Sequence, residues 1–95
     1  MPASRSVVIT GASTGIGRAC ALHMDALGWR VFAGVRKQAD AESLRREAST
    51  RLTPLLLDVT DAPSIRRARQ ELERAVGDTG LSGLVNNAGI AYGGP

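Results

Sequence analysis

The run Thr10-Gly11-Ala12-Ser13-Thr14-Gly15-Ile16-Gly17 constrains the fold of this chain more than any other feature. It follows an apolar triplet, Val7-Val8-Ile9, that has the character of a buried strand. It precedes a segment whose apolar residues recur at helical spacing. A glycine-rich turn between a strand and a helix is a place for an anion. Glycines let the backbone come close, and the first helical N–H groups and the positive end of the helix dipole point outward. The spacing G-x-x-x-G-x-G differs from two better-known phosphate-binding fingerprints, G-x-G-x-x-G and the P-loop G-x-x-x-x-G-K-[ST]. Position 16 is Ile and no Lys follows Gly17, which disfavours a nucleoside-triphosphatase. On their own, the three glycines also fit a plain tight turn.

Downstream of the turn, strand and helix signals alternate. The spacing predicts a strand over residues 5–10 and a helix over 15–27 with an apolar face of Ile16, Ala19, Cys20, Met24 and Leu27, closed by Gly28. Residues 29–35 read as a strand apolar on both faces, as in a parallel sheet covered on both sides. A short helix over 40–48 leads to a strand over 52–57, where Pro54 is admissible only at a sheet edge. Asp61 and Pro63 mark the start of a third helix with a buried stripe of Ile65, Ala68, Leu72, Ala75 and Val76. Gly77 and Gly80 close it before a strand over 81–85. The fold class is therefore α/β, a Rossmann-type parallel sheet of order 3-2-1-4 with right-handed crossovers and flanking helices. This order puts Pro54 at an edge and opens a crevice between the first and fourth strands, where ligands bind in such sheets. The pattern is expected to be half of a doubly wound fold, incomplete after the fourth strand.

Ninety-five residues make one small domain, which buries a modest fraction of its surface. The net charge is +3, with Lys37 the sole lysine. The arginines are interspersed with acids, and the only aromatic residues are Trp29, Phe32 and Tyr92, so nucleic acid is a poor candidate partner. Arg66, Arg67, Arg69 and Arg74 are expected to coat the wet side of the third helix. His23, on or beside the apolar face of the first helix, is expected to pack. The single Cys20 fits a reducing compartment. No apolar run approaches a membrane span and residues 1–6 lack a signal-peptide core, so a soluble cytosolic protein is expected.

Two further motifs complete the pattern: Leu55-Leu56-Leu57-Asp58-Val59, a strand ending in an acid, and Asn86-Asn87-Ala88-Gly89 after the fourth strand. In this order and at these separations, T-G-x-x-x-G-I-G, D-V and N-N-A-G resemble the classical short-chain dehydrogenases/reductases, from about Arg5 to Gly89. Residues 31–36 and 55–65 are most similar to the retinol and hydroxysteroid dehydrogenase branch. The resemblance implies that Gly11, Gly15, Ile16 and Gly17 surround the adenosine and pyrophosphate of a nicotinamide dinucleotide. It implies that Asp58 meets the adenine amino group with Val59 bordering the ring. Asn87, Ala88 and Gly89 are expected to lay backbone beside the cofactor ribose and pyrophosphate, with Asn86 tying the fourth strand into the sheet. The plainer reading of Asp58 is a cap for the turn after it.

At the end of the second strand the family reads the adenosine ribose, and an acid there selects NAD(H). This chain has Val35 followed by Arg36 and Lys37. A guanidinium pairs bidentately with phosphate, which favours NADP(H), although the pair also fits a solvated turn. Ser13 and Thr14 lie across from that place with hydroxyls to offer. Position 14 is Thr where some family members carry a basic residue. The family's chemistry uses a serine and a Tyr-x-x-x-Lys, and neither the motif nor any other catalytic or metal-ligating set is found here. Tyr92 is followed by Gly93, Gly94 and Pro95. Residues 1–95 are thus expected to be the cofactor-binding portion of an NADP(H)-dependent oxidoreductase interconverting an alcohol and a carbonyl. The chain is expected to be inactive alone, its small-molecule substrate and any homo-oligomer interface depending on later segments. The alternative is a non-catalytic dinucleotide-binding or redox-sensing module.

Overall fold

β2, residues Arg30–Val35, is apolar at nearly every position because it is covered on both faces, and everything from Val31 onward is buried. A computed structural model of the chain describes residues 5–77 and 83–85. The element order is β1 (Ser6–Ile9), α1 (Gly15–Ala26), β2, α2 (Gln38–Glu47), β3 (Leu52–Leu56), α3 (Ala62–Val76) and β4 (Gly83–Val85). The four strands are parallel in the order β3-β2-β1-β4, as the sequence predicts.

The register sorts the core into two layers. Val7 aligns with Val31 and Leu52, and Ile9 with Ala33 and Pro54. This face receives α1 and α2 through Cys20, Ala21, Met24, Ala41 and Leu44. Val8, Phe32 and Leu55 form the opposite face, against Leu72, Ala75 and Val76 of α3. Ile9, Val31, Phe32, Val35 and Leu44 are the largest wholly buried side chains, each worth about 1.5–3 kcal/mol of burial. Pro54 sits at the edge as required. Leu57 N–H donates to Val35 O at 2.7 Å. By strand alternation Thr53 and Leu55 also face β2, so the missing N–H of Pro54 falls on the outer side.

Three expectations are corrected. The buried face of α1 is not Ile16, Ala19 and Leu27, which are exposed, but Gly17, Ala21 and Asp25, flanked by Cys20 and Met24. The small Gly17 and Ala21 let the helix lie close on the sheet, and apolar size alone does not reveal that face. Asp25 tolerates burial because its carboxylate accepts from Ser49 N–H at 2.8 Å and Ser49 Oγ–H at 2.5 Å. Arg51 adds a contact from Nε at 3.8 Å and donates to Asp25 O at 2.7 Å, latching the end of α1 to the loop between α2 and β3. Ile65, the first residue of the expected α3 stripe, is 43% exposed, while Ala68 is buried and Leu72, Ala75 and Val76 pack. His23 is exposed in the last turn of α1 rather than packed.

Asp61 caps α3 by accepting from Ser64 N–H, Pro63 lies in its first turn, and Gly77 closes it at φ +51°. Arg30 stacks over Phe32 at 5.1 Å and donates to Ala75 O at 2.9 Å, satisfying one of the carbonyls left open where α3 ends. Arg18 joins α1 to α2 through Ser43, at 3.2 Å, and through an ion pair with Glu47. Arg66, Arg67, Arg69 and Arg74 are exposed, as expected. Among the described residues no helix is long and apolar enough to cross a membrane. Gly80, Leu81 and Tyr92 lie outside the described residues.

Candidate functional site

β1 delivers the chain to the C-terminal edge of the sheet, and two backbone bonds fix the glycine turn beyond it. Thr10 N–H donates to Val85 O of β4 at 3.0 Å, and Ala12 N–H donates to Gly34 O of β2 at 2.9 Å. The turn is therefore stretched across the ends of three strands. Gly11 and Gly15 hold φ of +63° and +61°, the left-handed region where a side chain is strained. Thr14 is the N-cap of α1 in an extended conformation, and its hydroxyl caps nothing. The first N–H groups of a helix have no intrahelical acceptor, so those of Gly15, Ile16 and Gly17 face an acceptor from elsewhere. Among the described residues a Cβ built on Gly15 meets nothing within 4 Å, which leaves open space beside this helix end. Ile16 beside it is 75% exposed and Ser13 is half-buried. A helix end with an open front, no side-chain cap and two left-handed glycines fits a pyrophosphate.

The strand ends supply the other half. Val35 is buried, and Arg36 and Lys37 emerge exposed before Lys37 becomes the N-cap of α2. Beyond β3, Leu57 leads to Asp58, half-buried, and Val59, 37% exposed. Arg36 and Asp58 line one groove of about 350 Å³ together with Leu57, Ser64, Arg67 and Glu71. Asp58 is tightly held. Its Oδ1 accepts from Thr60 Oγ1–H at 2.6 Å and from Thr60 N–H at 2.9 Å. Its own N–H donates to Ser64 Oγ at 2.9 Å, and its carbonyl accepts from Asp61 N–H at 3.0 Å. The Thr60 hydroxyl, then the Thr60 N–H, hold the Asp58 carboxyl below the ordinary aspartate value of 3.8; desolvation opposes them, and the Arg36 charge adds a lesser lowering contribution.

Thus Gly11, Ser13, Thr14, Gly15, Ile16 and Gly17 fall on one turn, and Arg36, Asp58 and Val59 at neighbouring strand ends. Asn86, Asn87, Ala88 and Gly89 lie outside the described residues. Thr60 and Ser64 escaped the sequence reading. Their signals were an Asp followed two residues later by Thr, the spacing of an Asx turn, and a Ser three residues after the Asp61 cap.

Known proteins share this fold. Residues 5–95 match the short chain dehydrogenase family. The chain belongs to that family. It is 48% identical to human retinol dehydrogenase 5 over 92 residues, which is 96% of this chain and 29% of that protein. It is 48% identical to bovine 17-beta-hydroxysteroid dehydrogenase type 6 over 86 residues, 90% of this chain and 27% of that protein. These relatives place it in the retinol and hydroxysteroid dehydrogenase branch. Among solved structures, an actinorhodin polyketide ketoreductase with NADPH superposes with a TM-score of 0.78 at 29% identity, covering 88% of this chain and 33% of that one. The chain spans less than a third of the length of the curated relatives it matches. The relatives named are themselves dehydrogenases, and the short-chain dehydrogenase chain in hand matches only a part of each.

Proposed function

We propose that this short-chain dehydrogenase chain is the cofactor-binding portion of an NADP(H)-dependent oxidoreductase that interconverts an alcohol and a carbonyl. The observation that carries the reading is the pairing of an open, uncapped helix end at Gly15 with the exposed Arg36 and Lys37 at the adjoining strand end. In this reading the N–H groups of residues 15–17 hold the pyrophosphate, and Gly11 and Gly15 keep side chains out of its way. Arg36 pairs with a 2′-phosphate, helped by Lys37. Ser13 and Thr14 offer hydroxyls from the turn. Asp58 accepts from the adenine amino group and Val59 borders the ring, while Asn87, Ala88 and Gly89 lie along the ribose and pyrophosphate. When bound, the nicotinamide dinucleotide supplies the redox equivalent. The 95 residues contain no Tyr-x-x-x-Lys, so proton transfer is assigned to none of them.

Support for the phosphate-bearing cofactor comes from Val35 standing where an acid selects the unphosphorylated one, and from the ketoreductase neighbour solved with NADPH. The test is Arg36→Ala. A charge-assisted contact to phosphate is worth about 1.5–3 kcal/mol, or about ten- to a hundredfold in affinity. NADPH binding should weaken by that factor and NADH binding stay nearly unchanged. Equal weakening of both would refute the role of Arg36.

A further inference from the structure

We infer that Thr60 is a positioning residue for base selection: by holding Oδ1 of Asp58 it aims Oδ2 at the exocyclic amine of the cofactor's adenine. The inference rests on the proposed adenine role of Asp58 and adds a residue to it. Thr60 gives both of its donors to a single oxygen, Oδ1, from the hydroxyl at 2.6 Å and from the backbone at 2.9 Å. Among the described residues Oδ2 has no hydrogen-bond partner. A carboxylate rotates freely about its last torsion unless something pins it, and two bonds to one oxygen pin it.

The backbone beneath is pinned as well. Asp58 N–H donates to Ser64 Oγ at 2.9 Å, and the buried Ser64 is itself fixed by donating its N–H to Asp61 Oδ2 at 3.1 Å. Asp61 N–H returns to Asp58 O at 3.0 Å. The end of β3 and the first turn of α3 thus form one closed set of hydrogen bonds with the carboxylate at its rim. The same bonds favour the ionised form, so the group presented to the base is an acceptor at neutral pH. An acceptor fixed there discriminates a base that offers an amine from one that offers a carbonyl oxygen, because the latter sets two acceptors against each other.

The experiment compares NADPH with nicotinamide hypoxanthine dinucleotide phosphate, in which an oxygen replaces the 6-amino group. Both are titrated calorimetrically into the protein expressed from its complete reading frame, as wild type, Thr60→Val and Thr60→Ser. Wild type should prefer NADPH by about tenfold, the worth of one hydrogen bond to a charged group. Thr60→Val should reduce that preference to about twofold, and Thr60→Ser, which keeps the hydroxyl, should restore it. The preference is a ratio within one variant, so a general loss of folded protein lowers both affinities and leaves it unmoved. A wild type that prefers NADPH together with a Thr60→Val that prefers it equally overturns the role of Thr60 alone. A wild type that shows no preference overturns the adenine role of Asp58 and the inference with it.

Discussion

Replacing Gly15 with valine separates the two demands placed on the glycine turn. Gly15 holds φ of +61°, and a Cβ built there meets nothing within 4 Å among the described residues. The cost to folding is therefore backbone strain without a clash. A left-handed conformation costs an L-residue about 1–2 kcal/mol, partly offset by about 0.4–1 kcal/mol from restricting the unfolded chain. The net loss is about 1 kcal/mol, which lowers the melting temperature by roughly 4–8 °C in a domain of this size. Binding suffers a different penalty, because the valine fills the open space in front of the first N–H groups of α1. Losing two charge-assisted bonds to a phosphate costs about 3 kcal/mol or more, over a hundredfold in affinity. Gly28→Val is the control. Gly28 sits just beyond the other end of α1 at φ +96° and among the described residues also has nothing within 4 Å of a built Cβ, so it bears backbone strain away from the turn. Thermal unfolding and calorimetric titration with NADPH of both variants give the comparison. Both should melt lower, and only Gly15→Val should lose NADPH. Retained binding in Gly15→Val, or equal loss in Gly28→Val, would refute the assignment of this turn as the phosphate site.

The hydrogen bonds around Asp25 and Asp58 set further outcomes. Asp25→Ala removes the acceptor of both Ser49 donors and the partner of Arg51, and should cost about 2–4 kcal/mol in denaturant unfolding; a loss under about 0.5 kcal/mol, the level of an ordinary surface change, contradicts the latch. Asp58 has a folded-state pKa below the ordinary 3.8, so its contribution to stability is in place above 3.8 and is lost as the pH falls through the lower folded value. Carboxyl titration by NMR checks this, and a midpoint at or above 3.8 contradicts it. Ser64→Ala strands the N–H of Asp58 and should destabilise by about 1–3 kcal/mol, whereas a neutral change in melting temperature would show that this bond does not hold the turn.

The sheet was legible because its strands carry their environment in their composition. Val31 to Val35 has no polar position, which only a doubly covered strand tolerates, and Pro54 pointed to an edge. The turn was legible through its glycines, two of which do hold positive φ. The face of α1 was not, because the helix docks through Gly17 and Ala21, residues of small volume, and through an acid whose partners lie more than twenty residues away in Ser49 and Arg51. Ile16 and Leu27 misled for the complementary reason: they are apolar yet stand exposed in the described structure. Asp58 was readable as a candidate site residue. What holds it was not, since Thr60 and Ser64 are ordinary residues until the chain turns from β3 into α3 and brings their hydroxyls to it.

If the turn and the adjoining strand ends bind a nicotinamide dinucleotide and favour the one bearing a 2′-phosphate, the two cofactors must differ in affinity at one shared site. Parallel calorimetric titrations of the protein expressed from its complete reading frame, one with NADPH and one with NADH, test this directly. Both should bind at one site, with NADPH tighter by about ten- to a hundredfold. Equal affinities, a tighter NADH, or no heat from either would contradict it.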